Sequence, residues 1–533
     1  MPPLDRRHFL RLLALQAAAW SLSCGRHEGG ARARRAAALP ANPHAGRWLG
    51  DDFSLGHRVR DGLHPAWSGG ALDLASDVVV VGAGISGLTT ACELAKAGRR
   101  VTLVEQAPET GGNSKSARWG GIEYSIGAAY FTQPGEGTRL ERLYKELGVL
   151  ARAKKVGHGE VFAQGELVHD FWGGSTARGA AVEATKKVAE IFRRIYDERY
   201  PEIPWNPRTQ GWTREQFEHA DRTPFASFLD GVAAPPDVRA FCEYYCWSSF
   251  GGTAEEISSY AGLNFITAEF GEILALPGGN AGIARALGDL ARARGVRIVT
   301  GTAAGEVREV RGGIEVAALR EDGVRRYPGK ACVLAVPRFM AARLLPGFPE
   351  GRKAIVAGMK WRAYIVANVL LARRPNPEWY DAYRIEPLVA ESAGWTDLVV
   401  ADFVADERQD YCALTAYRAL PFDAGRASVF ADDTYAAHRE AVRRDLLPWL
   451  DCVGLEERDI VDINLARWGH PLVLAQPGQL ASGNLEKLSA PLGRVVFAHQ
   501  DRYGVPAIEN AIAAAFAAGD EVDRMDWVAT RVR

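Results

Sequence analysis

The sequence predicts an α/β protein, in which a parallel sheet flanked by helices is interrupted by inserted α+β segments. One observation is a run of four valines, 78 to 81, that leads into a glycine-rich turn and a helical pattern. Another is an apolar strand near the other end of the chain, 494 to 498, followed by an alanine-rich helical pattern. With 533 residues, 47% of them hydrophobic, the chain can form large cores in two or more domains.

Composition excludes several classes of protein. Lys+Arg 64 against Asp+Glu 65 gives a net charge of −1, so no global field attracts nucleic acid. The seven cysteines follow no metal-binding spacing, and we predict no metal site. Cys242 and Cys246 are four residues apart, on one face of a predicted helix, and are expected in the core.

The N-terminus has the pattern of an export signal. The pair Arg6-Arg7 is followed by an apolar run, 12 to 22, which is too short to span a bilayer. We predict a twin-arginine signal and start of a tether at 1–45, then a linker at 46–71. Cys24 leaves two possibilities open, a lipid anchor or a signal that carries no lipid. Either predicts an exported protein, periplasmic or anchored at the outer face of the membrane.

A complete dinucleotide-binding motif follows. The turn after the valine strand has the form GxGxxG, the helical pattern ends at Gly98, and a second strand, 101 to 104, ends at Glu105. Glycines let the backbone turn tightly and approach a pyrophosphate, the helix N-terminus favours phosphate, and the acidic residue can bind ribose hydroxyls. The predicted cofactor contacts of this motif are Gly82, Gly84, Ile85, Ser86, Gly87 and Glu105.

The next segment indicates which dinucleotide is bound. Glu105 is followed by the diglycine Gly111-Gly112, and Gly127-Ala128-Ala129 comes later. This arrangement resembles the flavin amine oxidase superfamily, which includes protoporphyrinogen oxidases and polyene desaturases. The resemblance implies FAD as the cofactor, with both glycines beside its pyrophosphate.

The resemblance continues in two later blocks. It implies that Val307 contacts the adenine, that Asp501 binds the ribityl chain, and that Ile508 lies at the flavin N1/C2 edge, at a helix N-terminus. It assigns 72–140, 272–345 and 484–530 to a Rossmann-like FAD-binding domain, and 141–271 and 346–483 to the inserted α+β substrate domain. A second GxGxxG is absent, so we expect electrons to come from the substrate and not from a nicotinamide.

The residues facing the flavin depart from the family pattern. Matching the closing segments puts Ala507 and Pro471 where amine oxidases carry two aromatic rings. His470 occupies the position of a flavin-linked cysteine, and it is open as a general base, an orienting donor or a structural residue. Asn368, with Lys360 upstream, falls where the family has a lysine beside flavin N5. We treat His470, Asn368 and Lys360 as candidate catalytic residues.

Together these features predict an FAD-dependent oxidoreductase that takes hydride from a C–N or C–C bond of a small organic substrate onto flavin N5. One alternative is a desaturase or protoporphyrinogen-oxidase-like dehydrogenase acting on a large apolar substrate, which the missing rings favour. Another is an accessory protein with structural FAD. Expected partners are the substrate, an electron acceptor (oxygen or a membrane or periplasmic carrier) and the twin-arginine export machinery, with no nucleic acid.

Overall fold

The parallel sheet is present in the computed structural model, which describes residues 39–157, 159–208, 211–386 and 394–525. Its five strands are all parallel. The strands, in spatial order, are Arg297–Val299, Val101–Val104, Val78–Val81, Ala331–Leu334 and Val495–Phe497. Helices cover one face of this sheet, and the strands Gly313–Arg320 and Gly323–Gly329 cover the other, so the valine strand is buried. Each buried valine contributes about 1.5–3 kcal/mol.

A larger mixed sheet lies across from the parallel one. Its eight strands, in order, are Trp48–Gly50, Ile460–Val473, Trp361–Leu371, Cys412–Leu420, Asp397–Val400, Asp381–Ile385, Glu160–Ala163 and Glu166–Val168. Most neighbours are antiparallel, and helices pack against the sheet, so this region has the α+β character predicted for the insertions.

Three smaller sheets complete the β structure. One contains Ala303–Val310, Gly313–Arg320, Gly323–Gly329 and Ala71–Leu72; a second contains Tyr130–Thr132, Ile273–Ala275 and Lys154–Val156; a third pairs Ser116–Trp119 with Ile122–Ser125. The second of these sheets joins two strands from the predicted FAD-binding segments to one strand, Lys154–Val156, from the inserted region.

The helices fill the layers between and outside the sheets. They are Ser54–Arg60, Ile85–Lys96, Arg139–Glu146, Val149–Arg152, Ala180–Arg199, Arg214–Arg222, Phe225–Gly231, Pro236–Phe250, Ser259–Ala268, Ala281–Ala293, Arg338–Leu344, Glu350–Gly358, Gly425–Phe430, Tyr435–Leu450, Asn484–Ser489 and Ile508–Asp523. Cys242 and Cys246 are buried in the core on helix Pro236–Phe250, as predicted. Among the described residues, no helix is both long and apolar enough to cross a membrane.

The predicted linker at 46–71 is wrong. Trp48–Gly50 adds a strand to the large sheet, Ser54–Arg60 forms a helix, and Trp67 packs against Gly305. The composition is rich in Gly and Arg, but strand pairing and packing against distant residues order the segment. The predicted signal residues, Arg6-Arg7 and Cys24, lie outside the described residues.

Candidate cofactor and substrate site

A single large cavity runs between the parallel sheet and the eight-stranded sheet. Its volume is about 2320 Å³. Sites for drug-sized ligands are usually about 300–1,000 Å³, so the cavity has room for an extended dinucleotide and a substrate together. One end is lined by the glycine motif and the other by tyrosine and carboxylate side chains.

Two glycine loops face each other at the first end. Gly111 N donates to Ala83 O at 2.8 Å, and a Cβ built on Gly112 would lie 3.0 Å from Gly84 Cα. A Cβ on Gly87 would collide with the Gly82 carbonyl oxygen. The predicted contacts Gly82, Gly84, Ile85, Ser86, Gly111 and Gly112 all line the cavity. The open space beside these glycines suits a group that approaches backbone closely, such as a pyrophosphate.

Glu105 lines the cavity but already has backbone partners. Its Oε2 accepts a hydrogen bond from Ala83 N at 2.6 Å, and its Oε1 accepts one from Ala107 N at 2.9 Å. Burial raises the pKa of Glu105, and these N–H donors oppose that rise. The carboxylate therefore holds the glycine loop in shape, in addition to facing the space where a ribose would bind.

A second helix N-terminus reaches the cavity from the far end of the chain. Ile508–Asp523 begins with Ile508 and Glu509 in the cavity wall, and Ser86 Oγ donates to Ala511 O at 2.9 Å, which joins the helix to the glycine motif. Glu509 accepts from Thr132 N and Oγ1 at 3.1 and 2.7 Å. Two helix N-termini and two glycine loops around one long cavity fit FAD.

Three predicted cofactor contacts do not reach the cavity. Gly87 packs against the Gly82 carbonyl oxygen within the turn and does not line the cavity. Asp501 is buried beneath its wall, where Oδ2 accepts from Arg338 N at 2.9 Å and Trp361 Nε1 at 3.2 Å; its neighbours His499 and Gln500 line the cavity instead. Val307 is in the core, whereas Ala304 and Gly305 line the cavity. A bulge between Ala304 and Glu306 changes which side chains of this strand face the cavity.

Two of the candidate catalytic residues also lie away from the cavity. Asn368 is buried in the large sheet, where its Oδ1 accepts from Thr415 Oγ1 at 2.9 Å. Lys360 is exposed at the start of its strand. The residues of that strand that line the cavity are Tyr364 and Val366.

His470 does line the cavity. Its ring packs against Phe339, with 4.6 Å between centroids, and its Nε2 is buried without a hydrogen-bond partner in the described part of the chain. Burial and then the charges of Arg426 and Arg343 lower the pKa of His470 to about 3. The imidazole is therefore neutral at physiological pH and too weak a base to hold a proton, which leaves the orienting and structural interpretations.

Ala507 and Pro471 also lie in the cavity wall, so neither position supplies an aromatic ring. Rings come instead from the large sheet. Tyr364 and Tyr417 lie on adjacent strands with centroids 6.0 Å apart and planes at 71°, and Tyr417 Oη donates to Gly127 O at 2.8 Å. Sequence reasoning missed both tyrosines because neither lies near a recognisable motif.

The second end of the cavity, which we call the acidic chamber, has walls of tyrosine, serine and carboxylate side chains. Tyr245 Oη donates to Glu269 Oε1 at 2.7 Å, and the hydroxyls of Ser248 and Tyr364 are 3.1 Å apart. The lining residues of the chamber are Tyr130, Tyr245, Ser248, Glu269, Tyr364, Asp397 and Tyr417. Helix Pro236–Phe250, predicted as core or pocket lining, contributes to both.

Asp397 lines this chamber, and Asp381 lies near Asp397 on the neighbouring strand. They are 2% and 5% exposed, on neighbouring antiparallel strands and one face of the sheet. Burial raises the pKa of Asp397 to about 7, and burial together with the charge of Asp397 raises the pKa of Asp381 far more. The nearby Arg384 pairs with Asp445 at 2.9 Å and with Glu386.

Within the described ranges, neither Asp381 nor Asp397 forms an ion pair with lysine or arginine. Asp397 Oδ1 accepts from Thr396 Oγ1 at 2.6 Å, while Asp381 Oδ1 is buried and has no hydrogen-bond partner. Buried carboxyls without a cation stay protonated, or they ionise when a cationic ligand arrives. No local motif marks these aspartates, because their roles depend on burial and on the strands that pair.

Comparison with known proteins agrees with this geometry. Residues 80–147 match the family model of the NAD(P)-binding Rossmann-like domain. The chain is 23% identical over 521 residues to oxidoreductase PigB of Serratia sp., covering 84% of this chain and 75% of that one. It is 23% identical over 445 residues to (S)-6-hydroxynicotine oxidase of Paenarthrobacter nicotinovorans, covering 80% and 93%.

The solved structure of wild-type putrescine oxidase bound to putrescine superimposes with a TM-score of 0.64 at 18% identity. The match covers 85% of this chain and all of that one. The parallel sheet and the facing large sheet therefore have the same fold as putrescine oxidase.

Proposed function

We propose that the chain is an FAD-dependent oxidoreductase that oxidises a C–N bond of a small, amine-bearing substrate. The cofactor and the class of enzyme rest on the fit of the glycine-lined cavity to FAD and on the oxidoreductases among the relatives. The choice of a C–N bond rests on one observation, the acidic chamber beside the cofactor end of the same cavity.

The acidic chamber supports an amine because its charge and hydrogen-bonding groups suit an ammonium ion. Asp397 and Glu269 line it, and Asp381 lies against Asp397. An ammonium group brought into this space would supply the positive charge that Asp381 and Asp397 lack among the described residues, and it could donate to the Asp397 carboxylate. A polyene or porphyrinogen would instead cover these polar groups without pairing them, at a cost of about 1–3 kcal/mol for each unpaired group.

The chain can also remove the proton that blocks oxidation. An amine loses hydride readily only from its neutral form, because the nitrogen lone pair stabilises the developing positive charge. With its pKa raised to about 7, the Asp397 carboxylate is a stronger base than an ordinary carboxylate and can accept the ammonium proton. FAD, when bound, accepts the hydride that leaves the carbon next to the nitrogen.

Other residues would orient the substrate and exclude water. Tyr364 and Tyr417 present two inclined rings from neighbouring strands, and Ser248 holds the Tyr364 hydroxyl. The buried sheet behind them limits access of solvent. The N-terminus of helix Ile508–Asp523 favours negative charge on the cofactor edge that it faces.

Anaerobic flavin bleaching tests this function. Holoprotein should be bleached by members of a panel of primary, secondary and cyclic amines. Asp397→Asn should lower the rate of bleaching about 10- to 100-fold, since a positioned proton acceptor contributes about that much or more. Asp289→Asn, at a carboxylate 80% exposed on a surface helix, is the matched control and should leave the rate unchanged.

The other outcomes separate the alternatives. Bleaching by polyenes or porphyrinogens, and by no amine, would replace this function with the desaturase or protoporphyrinogen-oxidase-like one. Flavin that no substrate class bleaches, although dithionite reduces it, would support an accessory protein with structural FAD.

We also propose that the physiological electron acceptor is a carrier and not oxygen. The strand Trp361–Leu371 presents Tyr364 and Val366 to the cavity where the family resemblance implies a lysine, and Lys360 is exposed elsewhere. Mixing the reduced protein with oxygen should give slow reoxidation, whereas a quinone analogue should reoxidise it quickly. Fast reaction with oxygen would overturn this assignment.

Export as folded holoprotein is our proposal for localisation. It rests on the paired Arg6-Arg7 and the short apolar run behind them. Changing both arginines to lysine should trap flavin-loaded protein in the cytoplasm. Cys24→Ala should release exported protein from membranes if a lipid is attached there. Normal export of the double-lysine variant would contradict the proposal.

A further inference from the structure

Residues 48–60, which we call the strap, cross the cavity before the first strand of the parallel sheet begins. The strap consists of strand Trp48–Gly50, a short connection and helix Ser54–Arg60. It lines the same cavity as the glycine motif, through Asp51, Asp52, Phe53, Gly56, His57, Val59 and Arg60.

One end of the strap is attached to the large sheet. Trp48–Gly50 pairs in parallel with Leu465 to Arg467, and Asp51 Oδ2 accepts from Gly469 N at 2.8 Å. Phe53 stacks on Phe430 with 5.7 Å between centroids, and the Arg467 guanidinium lies 4.4 Å from the centre of the Phe53 ring. The attachment therefore combines backbone pairing with an aromatic clasp.

The other end lies over the ribose end of the glycine motif. A Cβ built on Gly56 would be 2.6 Å from Gln106 Oε1, and Gln106 directly follows Glu105. The helix also packs against strand Ala303–Val310, whose residues Ala304 and Gly305 line the cavity. The strap thus bridges the two sides of the cleft above the place where the adenosine half of a dinucleotide would bind.

Helix Ser54–Arg60 has little packing of its own. None of its seven residues is buried, and a helix this short is not stable by itself in water. Gly56, His57 and Val59 line the cavity, and the His57 ring also stacks on Phe430 with 5.1 Å between centroids. A ligand beneath the helix would add to these peripheral contacts.

The charges around the strap indicate an anionic ligand. Arg343 and Arg426 line the cavity from helices next to the strap, and neither has a carboxylate partner among the residues that the structure describes. On the strap itself, Arg60 pairs with Asp61 at 2.7 Å, and Asp51 and Asp52 also line the cavity. Burial and then the charge of Arg60 lower the pKa of His57. FAD carries a diphosphate, so its chemistry matches this lining.

We propose that the strap is a cofactor-binding element that docks over the adenosine half of FAD and retains it. This inference rests on the proposed cofactor, but not on the proposed substrate. FAD enters while the strap is displaced, and the strap then closes on the bound dinucleotide. Its docking therefore reports that the cofactor is loaded.

Hydrogen exchange on the wild-type protein tests the docking step. Backbone amides of residues 54–60 should exchange at least about tenfold more slowly in FAD-loaded protein than in apoprotein. Amides of helix Glu350–Gly358, which lines no part of the cavity, should exchange equally in both forms. Equal protection of residues 54–60 with and without FAD would overturn the proposal.

Flavin release from two matched variants tests the retaining role. Phe53→Ser removes the aromatic clasp, and the rate of FAD dissociation should rise about tenfold or more. Leu74→Ser, an apolar-to-serine change at a side chain 75% exposed just after the strap, should leave that rate unchanged. Unchanged FAD release from Phe53→Ser would overturn the proposal.

Different results would contradict the proposed substrate and the proposed role of the strap. Wild-type protein that binds no FAD would overturn both. Bound FAD that the strap protects, but that no amine bleaches, would overturn the proposed substrate and leave the strap in place.

Discussion

The two ends of the cavity are built by different means. The dinucleotide end consists largely of backbone, from the turn at 82–87 and the diglycine at 111–112, with helix N-termini directed at the ligand. The acidic chamber consists of side chains that come from separate helices and strands of the inserted regions. A backbone site needs glycine at fixed spacing, whereas a side-chain site needs only that distant segments meet.

The difference explains which predicted residues line the cavity. At the dinucleotide end, Gly82, Gly84, Ile85, Ser86 and Glu105 do so. Of the catalytic candidates chosen by aligning scattered segments, His470 lines the cavity, whereas Asn368 and Lys360 do not. Motif spacing carries information about backbone geometry, and it carries little about which face of a strand meets a cavity.

The largest expected effect is at the backbone end. Gly84→Val should abolish tight FAD binding, because the added side chain enters the space beside Gly112 that the pyrophosphate needs. Overpacking a rigid site costs about 3 kcal/mol or more here, which is over about a hundredfold in affinity. Equilibrium binding of FAD to apoprotein measures the effect, and circular dichroism checks that the fold survives.

Gly351→Val provides the control for this change. Gly351 is exposed on a surface helix, and a Cβ there meets nothing within 4 Å. The FAD affinity of the Gly351→Val variant should equal that of the wild type. If Gly84→Val also binds FAD normally, the pyrophosphate does not lie at this turn.

The next largest effect is expected at Glu105, whose side chain both binds backbone N–H groups of the glycine loop and lines the cavity. In Glu105→Gln an amide group replaces one of the two oxygens that accept from Ala83 N and Ala107 N. FAD affinity should drop about 10- to 100-fold, in line with about 1.5–3 kcal/mol for bonds to a charged group. Because the same carboxylate shapes the loop, the apoprotein should also melt at a lower temperature.

The control for Glu105 lies in the same loop. Glu109→Gln changes a carboxylate that is 67% exposed, and both FAD affinity and melting temperature should stay at the wild-type values. A Glu105→Gln variant that loses FAD affinity with an unchanged apoprotein melting temperature would limit Glu105 to ribose binding.

A smaller effect is expected in how the free energy of unfolding depends on pH, and it tests the Asp397 carboxyl of the acidic chamber. The raised pKa of Asp397 means that between about pH 4 and pH 7 the folded protein keeps a proton that the unfolded chain has released. Stability must then fall as pH rises through this window, by up to about 1.4 kcal/mol per pH unit for one proton. Asp397→Asn should lose the part of this slope that Asp397 contributes, while Asp381, whose pKa is also raised, keeps its own part. Denaturant unfolding at pH 5, 6 and 7 measures the difference in slope. Identical slopes in the wild type and Asp397→Asn would mean that Asp397 ionises normally.

The smallest effect is expected at Lys360. This side chain is exposed outside the cavity, so Lys360→Ala should leave the rate of flavin reoxidation within about twofold of the wild type, as for most surface substitutions. Stopped-flow mixing of reduced protein with an acceptor measures the rate. A drop of tenfold or more would show that Lys360 reaches the flavin in the working enzyme.

Much of the fold could be predicted where apolar runs and turns coincide. The structure has strands at Val78–Val81 and Val101–Val104, where the sequence has the apolar runs on either side of the glycine-rich turn and helix. The strap could not be predicted, since Trp48–Gly50 forms a strand only because residues 465–467 of another strand lie beside it. Its local composition carries no signal of that partner.

By itself, the sequence determined the dinucleotide-binding frame, because glycine spacing and a valine strand constrain the backbone wherever they occur. Only the tertiary structure decided that Asp501 and Val307 are buried beneath the cavity wall, that Tyr364 faces the cavity, and that Asp381 lies near Asp397 behind the acidic chamber. The physical reason is that the exposure and pKa of a side chain depend on which neighbours remove it from water. Those neighbours come from strands whose register and bulges are set by pairing across the whole sheet.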